Sequence, residues 1–463
     1  MTNLTLDLSE KVRGRIITAS DAGYDDARTV YNAMHDRRPG VIVQCADAAD
    51  VMAVVSFARE GGLDLAVRGG GHSVPGFGTI DGGLVIDLSK INNVQVDPQK
   101  KVARVGGGAT FGDVDHATYP FGLAAPGGVI STTGVGGLTL GGGIGYLTRR
   151  AGLSIDNLLS ADVVLADGRQ VTASNCQNED LFWALRGGGG NFGVVTNFEF
   201  QLHDVGDISG GPLFYEFEDA KAVMQGYRDY IAEAPEALGC FFGWQIAPDL
   251  PFIPRDRVSD LFCVLVPCWT GAAEDTDREI KSLRDFAEVK AEFFQRMPFP
   301  AMNGLFNDAV PHGMQNYWKA DFITELTDEA IDVHCAHGAN TPHVSSSMHL
   351  HPINGAAQRV GADETAFGHR DKMFSPVIAG IWDDPAENEA NIRWVRDYYD
   401  AIHPHSSSEG GYINFMSDDD GHRAAQNYGA NHARLAAAKA VYDPDNVFHV
   451  NQNIQPATTG GDR

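Results

Sequence analysis

Three glycine clusters fall within one stretch of about 130 residues, and they constrain this chain more than any other feature. The first is Val67-Arg68-Gly69-Gly70-Gly71-His72-Ser73, the second spans residues 127–145, and the third is Arg186-Gly187-Gly188-Gly189-Gly190-Asn191-Phe192-Gly193. Each glycine costs roughly 0.5–1 kcal/mol relative to alanine when it is ordered in regular structure. Such a density is tolerated where backbone must approach a ligand closely and present its N–H groups. The first cluster follows the apolar run Leu63–Val67, which reads as a short buried strand feeding a phosphate-gripping turn. His72 directly follows the turn, where its imidazole can act as a nucleophile toward a bound cofactor. A Gly-rich surface loop would explain one such cluster. Three clusters together argue for a large phosphate-bearing cofactor threaded through one domain. A Rossmann dinucleotide site needs G-x-G-x-x-G between the first strand and helix. Neither Gly106-Gly107-Gly108 nor Gly134-Val135-Gly136 has that context.

The chain has 463 residues, enough for two to four domains or one large α/β body with an insertion. Its formal net charge of -26 repels phosphate backbones and anionic lipid, so nucleic acid is excluded as a partner. No apolar run reaches membrane-spanning length, and Met1–Asp7 shows no basic or apolar leader. Six cysteines are scattered without C-x-x-C pairs or zinc spacing. They are expected to be reduced thiols in a cytoplasmic protein with no metal site.

The first 200 residues alternate short β-branched runs with helical patterns. Gly40–Gln44 reads as a strand, Asp47–Glu60 as a helix capped by Asp47, and Leu63–Val67 as the second strand of a βαβ-like unit. Leu84–Leu88, Lys101–Val105 and Gly193–Phe200 are further strands, and Ala161–Leu165 turns at Asp167-Gly168 into a hairpin. Composition shifts near 205–212, and 213–404 reads as an antiparallel sheet flanked by helices such as Ala220–Ala234 and Asp275–Phe286. Beyond His403-Pro404 glycine and asparagine return, and Ala457–Arg463 reads as disordered.

Taken together, Val67–Ser73, Pro126–Gly145 with Gly152-Leu153 and Asp156-Asn157, Leu181–Val195, Tyr412-Ile413-Asn414 and Phe448–Ile454 resemble a known family. The chain is similar to the covalent flavoprotein oxidases of the berberine bridge enzyme-like group, within the vanillyl-alcohol oxidase family. That resemblance covers nearly the whole chain in order. It implies an α+β fold: a two-part FAD-binding domain, residues 1–205 and 405–463, with an inserted antiparallel-sheet substrate domain, 206–404. It implies FAD bonded through the His72 imidazole to the flavin 8α-methyl. Ile130 falls where bicovalent members carry a cysteine, so a single covalent link is expected. Thr133 falls where family members control dioxygen access, which favours an oxidase. The expected cofactor contacts are Arg68, Gly69, Gly70, Gly71, His72, Ser73, Gly127, Thr132, Thr133, Gly134, Gly137, Gly142, Asn157, Gly193, Val195, Asn414 and Asn451. Tyr412 matches the family's Y-x-N tyrosine and is expected to relay a substrate proton near the flavin's reactive edge.

In the middle domain, Ser347–Pro352 alternates like a strand and puts His349 and His351 on one face. That face lines the substrate pocket, holds a metal, or meets solvent; pocket lining is favoured, and both histidines join Tyr412 as catalytic candidates. His369 is a weaker one, and Tyr146 and Trp318 read as core aromatics. The expected activity is removal of two electrons from a small or medium organic substrate (alcohol, amine, sugar, phenol or polyketide), with O2 as acceptor and hydrogen peroxide as product. Two alternatives stand beside it: a flavin dehydrogenase with another acceptor, and a non-catalytic flavin-binding protein.

Overall fold

A computed structural model describes residues 7–458. The leader reading of Met1–Asp7, Asp7 apart, and most of the tail reading therefore fall outside the described residues. Ala457, placed in the disordered tail from sequence, instead donates its N–H to Ala436 O at 2.9 Å.

Three large sheets organise the described residues, beside a two-stranded pair of Leu123–Ala124 with His203–Asp204. In the first, strand Val41–Gln44 runs parallel to Leu84–Asp87, which runs parallel to Leu65–Arg68; Arg15–Ile17 pairs antiparallel at the edge. The helix joining Val41–Gln44 to Leu65–Arg68 is Ala48–Gly61, and Asp47 caps it by accepting from the N–H groups of Ala49 and Asp50. The βαβ expectation changes in one respect, because Leu84–Asp87 inserts between the two strands. The strands are apolar on both faces. Val43, Leu65 and Ile86 pack with Val51, Val54 and Val55 of the helix, whereas Ile42, Ala66 and Val85 pack with Ile17 and Tyr24. Continuous apolar runs of this kind suit parallel strands covered on both sides.

The second sheet is antiparallel, in the order Val94–Asp97, Val102–Gly106, Val194–Gln201, Leu158–Val164, Gln170–Ser174. Its Phe198 and Phe200 pack with Phe182 and Leu185, and with Leu435, Ala438 and Ile454 from the end of the chain. The C-terminal helix His432–Tyr442 thus returns to the first half of the molecule.

The third sheet has nine antiparallel strands. Its main path runs Val289–Glu292, Leu213–Glu216, Leu261–Trp269, Leu238–Ile246, Ser347–Pro352, Phe374–Trp382, Gln315–Ala320. Alternation separates its two faces. Phe242, Trp244, Leu265, Met348, Leu350, Ile378 and Trp382 pack against helices Ala220–Glu233, Asp328–Gly338 and Asn388–Ile402. The intervening residues face the other way, toward the glycine clusters. The architecture is the α+β arrangement expected from the sequence, with an antiparallel sheet in the middle of the chain. No helix among the described residues is long and apolar enough to cross a membrane.

Candidate active site

A cavity of about 380 Å³ runs from the glycine clusters to the open face of the nine-stranded sheet. Its first wall is the turn after strand Leu65–Arg68. Gly71 holds φ +71°, a left-handed conformation that side chains rarely adopt. Gly70 lies backbone to backbone with Gly134 of the second cluster, where a Cβ on Gly134 would sit 2.4 Å from Gly70 N. Arg68 anchors the turn from beneath, with Nη2 donating to the buried Asp87 carboxylate at 2.7 Å and Nη1 to Ala27 O.

This turn presents His72 to the cavity. The His72 ring stacks on Tyr31, with centroids 4.3 Å apart and planes 16° apart, and meets His312 edge-on at 5.0 Å. Thr132 Oγ1 stands 3.0 Å from His72 Nε2. Burial, with the neighbouring His312 second, pushes the His72 pKa down to about 3. The imidazole is therefore neutral at pH 7, the form with a lone pair available for bonding.

A buried knot of polar groups ties the third cluster to the chain terminus. Asn191 Nδ2 donates to Gly188 O at 2.8 Å and Gln452 O at 3.2 Å, and Tyr428 OH donates to Gln452 O at 3.1 Å. Lys439 Nζ donates to Asn191 O at 2.7 Å and Phe448 O at 2.9 Å, and pairs with Asp443.

Two observations test whether these walls suit a flavin nucleotide. Gly137 and Gly190 line the cavity with nothing within 4 Å of where a Cβ would be, so any larger side chain would fill space that glycine leaves open. Gln452 and Asn451 also line it, and Gln452 Nε2, Gln452 Oε1 and Asn451 Oδ1 are buried without a hydrogen-bond partner. Open backbone beside unspent amide groups fits a flat ligand with both donor and acceptor edges. The residues fit FAD.

The opposite wall is the cavity face of the nine-stranded sheet. His349 and His351 project from the same side of Ser347–Pro352, with ring centroids 5.7 Å apart and Phe241 within 5.3 Å of each. His349 lies across the ladder from Gly243, where a Cβ would come 3.2 Å from its Cδ2. Burial pushes His349 down to about 4 and His351 down to about 3, the latter also repelled by His349. Neither ring makes a hydrogen bond to protein among the described residues.

Of the cofactor contacts expected from sequence, Arg68, Gly69, Gly70, Gly71, His72, Ser73, Thr133, Gly134, Gly137, Gly193, Val195, Asn414 and Asn451 line the cavity. Thr132 reaches it through His72. Three expected contacts stand away from it. A Cβ on Gly127 would meet the Phe111 ring, and one on Gly142 would meet Phe367 and Tyr412. Asn157 spends its amide on Ala151 O, Leu153 O and His203. Many second-cluster glycines thus serve packing of loop against loop; a Cβ on Gly145, for instance, would lie 1.8 Å from Gly127 O.

Tyr412 stands behind the cavity wall, one hydrogen bond from the cavity-lining Asn414. Its phenol is buried in a core with Ile144, Ile155, Phe322 and Phe367 and does not line the cavity. The phenol oxygen accepts from Gly143 N and Asn414 Nδ2, each at 2.8 Å, while burial pushes its pKa up to about 12. A short 3-10 turn, Ile413–Phe415, reverses the facing here, so Phe415 reaches the cavity in its place. Trp318, read as core, lines the cavity. His369 stacks on Phe322 at 4.2 Å and contacts Asn427 O at 2.8 Å, and neither it nor Tyr146 lines the cavity. Sequence reasoning missed Tyr31, Phe241, His312, Phe415 and Gln452. Only Phe415 and Gln452 carried a signal, as the residue after Y-x-N and the centre of Asn451-Gln452-Asn453.

Comparison with known proteins agrees with this geometry. A family profile described as FAD binding domain matches residues 39–174, and one described as berberine and berberine like matches 411–455. The chain is 31% identical to an uncharacterized FAD-linked oxidoreductase of Bacillus subtilis, YgaK, covering 96% of this chain and 98% of the relative. It is 30% identical to (R)-6-hydroxynicotine oxidase of Paenarthrobacter nicotinovorans, covering 96% and 97%. The crystal structure of 6-hydroxy-D-nicotine oxidase from Arthrobacter nicotinovorans superposes with a TM-score of 0.86 at 27% identity, over 96% of this chain and 98% of that one. Glucooligosaccharide oxidase from Acremonium strictum, whose FAD is described as 6-S-cysteinyl and 8α-N1-histidyl, shares the fold with a TM-score of 0.85 at 24% identity, over 98% and 99%. With the glycine cradle, the unspent amides and this agreement over nearly its full length, the chain belongs to the berberine bridge enzyme-like FAD-linked oxidoreductases.

Proposed function

We propose that this enzyme is an FAD-dependent oxidase that removes a hydride from a small or medium organic substrate and passes the electrons to O2, giving hydrogen peroxide. The observation that carries the reading is one cavity with His72 and the glycine cradle on one wall and His349 and His351 on the other. Residues 1–205 and 405–463 form the FAD-binding part and 206–404 the substrate part. His72 holds the cofactor covalently and alone, because Ile130 at the cavity wall cannot form a thioether. The bound flavin supplies the hydride acceptor and the two-electron store. The chain's own residues do the rest. Arg68 and Gly134 fix the turn that aims His72, Gln452 and Asn451 offer amide groups to the cofactor, and Phe241 and Phe415 exclude water from the substrate side. His349 and His351, both neutral at pH 7, accept the substrate's hydrogen bond and take up its proton only as the hydride leaves. Tyr412 acts as a positioning residue for Gly143 and Asn414. Six free thiols support a cytoplasmic location.

The test is stopped-flow spectroscopy on the purified yellow protein with a panel of alcohols, amines, saccharides and phenols. Anaerobic bleaching by one class, followed by rapid reoxidation with O2 and stoichiometric peroxide, is expected. Bleaching followed by reoxidation only with a quinone would make the enzyme a dehydrogenase. No bleaching with any class would leave a flavin-binding protein without this activity.

A further inference from the structure

The loop that carries Thr132 to His72 is fastened to two helices from distant parts of the chain. Helix Phe111–Thr118 holds it at its first turn, where Phe111 N donates to Thr133 O at 3.0 Å and Gly112 N to Ser131 O at 2.7 Å. Helix Phe299–Asn303 holds it from the other side, with Ser131 N donating to Asn303 O at 2.9 Å. Just beyond that helix, Asn307 Nδ2 donates to Ser131 Oγ at 2.8 Å. One turn into the first helix, Asp115 meets the same Asn303, whose Nδ2 donates to Asp115 Oδ2 at 2.8 Å. Both side chains are buried, and the other oxygen of each, Asp115 Oδ1 and Asn303 Oδ1, has no partner among the described residues. Two unpaired acceptors on one bonded pair are what a single missing proton leaves. A carboxylic acid offers one donor and one acceptor, the complement of an amide edge.

We propose that Asp115 carries a proton shared with Asn303 Oδ1, and that this acid–amide pair is a latch between the two helices that holds Thr132 against His72 for covalent attachment of the flavin. This rests on the His72 link proposed above and adds what controls its formation. Attachment breaks one C–H bond of the 8α-methyl and the ring N–H of His72 and forms the C–N bond. The two electrons and two protons leave through the flavin to O2, giving hydrogen peroxide. Loss of the Asp115 proton leaves a carboxylate against an amide oxygen, and the post that carries Ser131 loosens. The elements packed most closely on helix Phe111–Thr118 are Val94–Asp97, Phe299–Asn303, Tyr119–Phe121 and Leu123–Ala124. Their ionisable side chains are spent elsewhere, Asp97 on Lys100 and the N–H of Gln99, and Tyr119 on Asp207. On the helix itself Asp113 accepts from Thr110, and His116 is exposed. Burial, opposed by the Asn303 bond, therefore sets the Asp115 carboxyl at about 7. Burial pushes His72 down to about 3 and lowers His312 as well, so both are neutral from pH 7 upward and add no titration there.

Loading of the full-length chain tests the latch. Flavin-free protein from riboflavin-starved cells is mixed with FAD in air-saturated buffer, and covalent flavin is read as fluorescence of the denatured band. The unmutated protein should load at least about fivefold more slowly at pH 8.5 than at pH 6.5, with a midpoint close to 7. Asp115→Asn keeps the pair, as amide with amide, and removes the titrating proton. Its loading should match the unmutated protein's at pH 6.5 and stay flat to pH 8.5. If that variant does not fold, Asn303→Ala carries the test, with loading slow at both pH values. Equal loading of the unmutated protein at pH 6.5 and 8.5 overturns the latch and leaves the His72 reading intact. So does a pH dependence that survives in Asp115→Asn or Asn303→Ala. Absence of covalent flavin at every pH overturns the His72 reading, and the latch with it.

Discussion

Tyr412→Phe separates a proton relay from a packing post. The phenol oxygen accepts from Gly143 N and from Asn414 Nδ2, both at 2.8 Å, inside a closed core. Phenylalanine keeps the ring and removes the acceptor. Asn414 Nδ2 retains Leu138 O at 2.9 Å, but the N–H of Gly143 loses its partner. One buried donor left unpaired costs about 1–3 kcal/mol. The variant should therefore show a lower urea midpoint with unchanged slope, equivalent to about 2 kcal/mol. Flavin reduction should fall by less than about tenfold, because the phenol does not face the substrate and only the Gly141–Gly143 backbone shifts. A positioned acid–base group is worth about 10²–10⁴ in rate. A loss of that size with an unchanged urea midpoint would refute the placement argued above and return Tyr412 to the chemistry.

Further expectations follow from other parts of the structure. Gly137→Ala adds a Cβ where no protein atom lies within 4 Å, so the fold should keep or gain up to about 1 kcal/mol while flavin content drops; equal flavin content would show that Gly137 does not face the cofactor. Gly134→Ala should instead destabilise the fold itself, by about 1–3 kcal/mol or more, since its Cβ meets Gly70 backbone at 2.4 Å. Burial raises the Asp115 carboxyl to about 7, opposed by a hydrogen bond from Asn303 Nδ2 at 2.8 Å. Between pH 4 and 7 the native protein holds a proton that the unfolded chain has released, so this group's contribution falls as pH rises and levels off above 7. From pH 5 to 7.5 the unmutated protein should lose about 2.5 kcal/mol relative to Asp115→Asn in urea unfolding, and parallel pH profiles would refute the assignment.

What the sequence revealed, and what it hid, follows from periodicity. Asp47 and the apolar spacing after it specify a capped helix locally, and helix Ala48–Gly61 forms there. His349 and His351 share a face because strand alternation is fixed by the backbone. Tyr412 sits at the start of a one-turn 3-10 helix, where neither period applies, and its side chain turned inward while Phe415 took the cavity. Glycine identity likewise says that something approaches closely, without saying what. At Gly137 it is open cavity, at Gly145 another loop's carbonyl. Tyr31, His72 and His312 meet from three distant segments, and Asp115 meets Asn303 in the same way. Such contacts leave no local pattern to read.

The claim that His72 alone anchors FAD has a direct measurement. The purified yellow protein is precipitated in acid, digested, and its peptides are weighed. The expected result is a flavin-free supernatant, a peptide containing His72 heavier by the mass of the flavin, and no flavin on any of the six cysteine residues. Free flavin in the supernatant with an unmodified His72 peptide, or a flavin-linked cysteine, would contradict it.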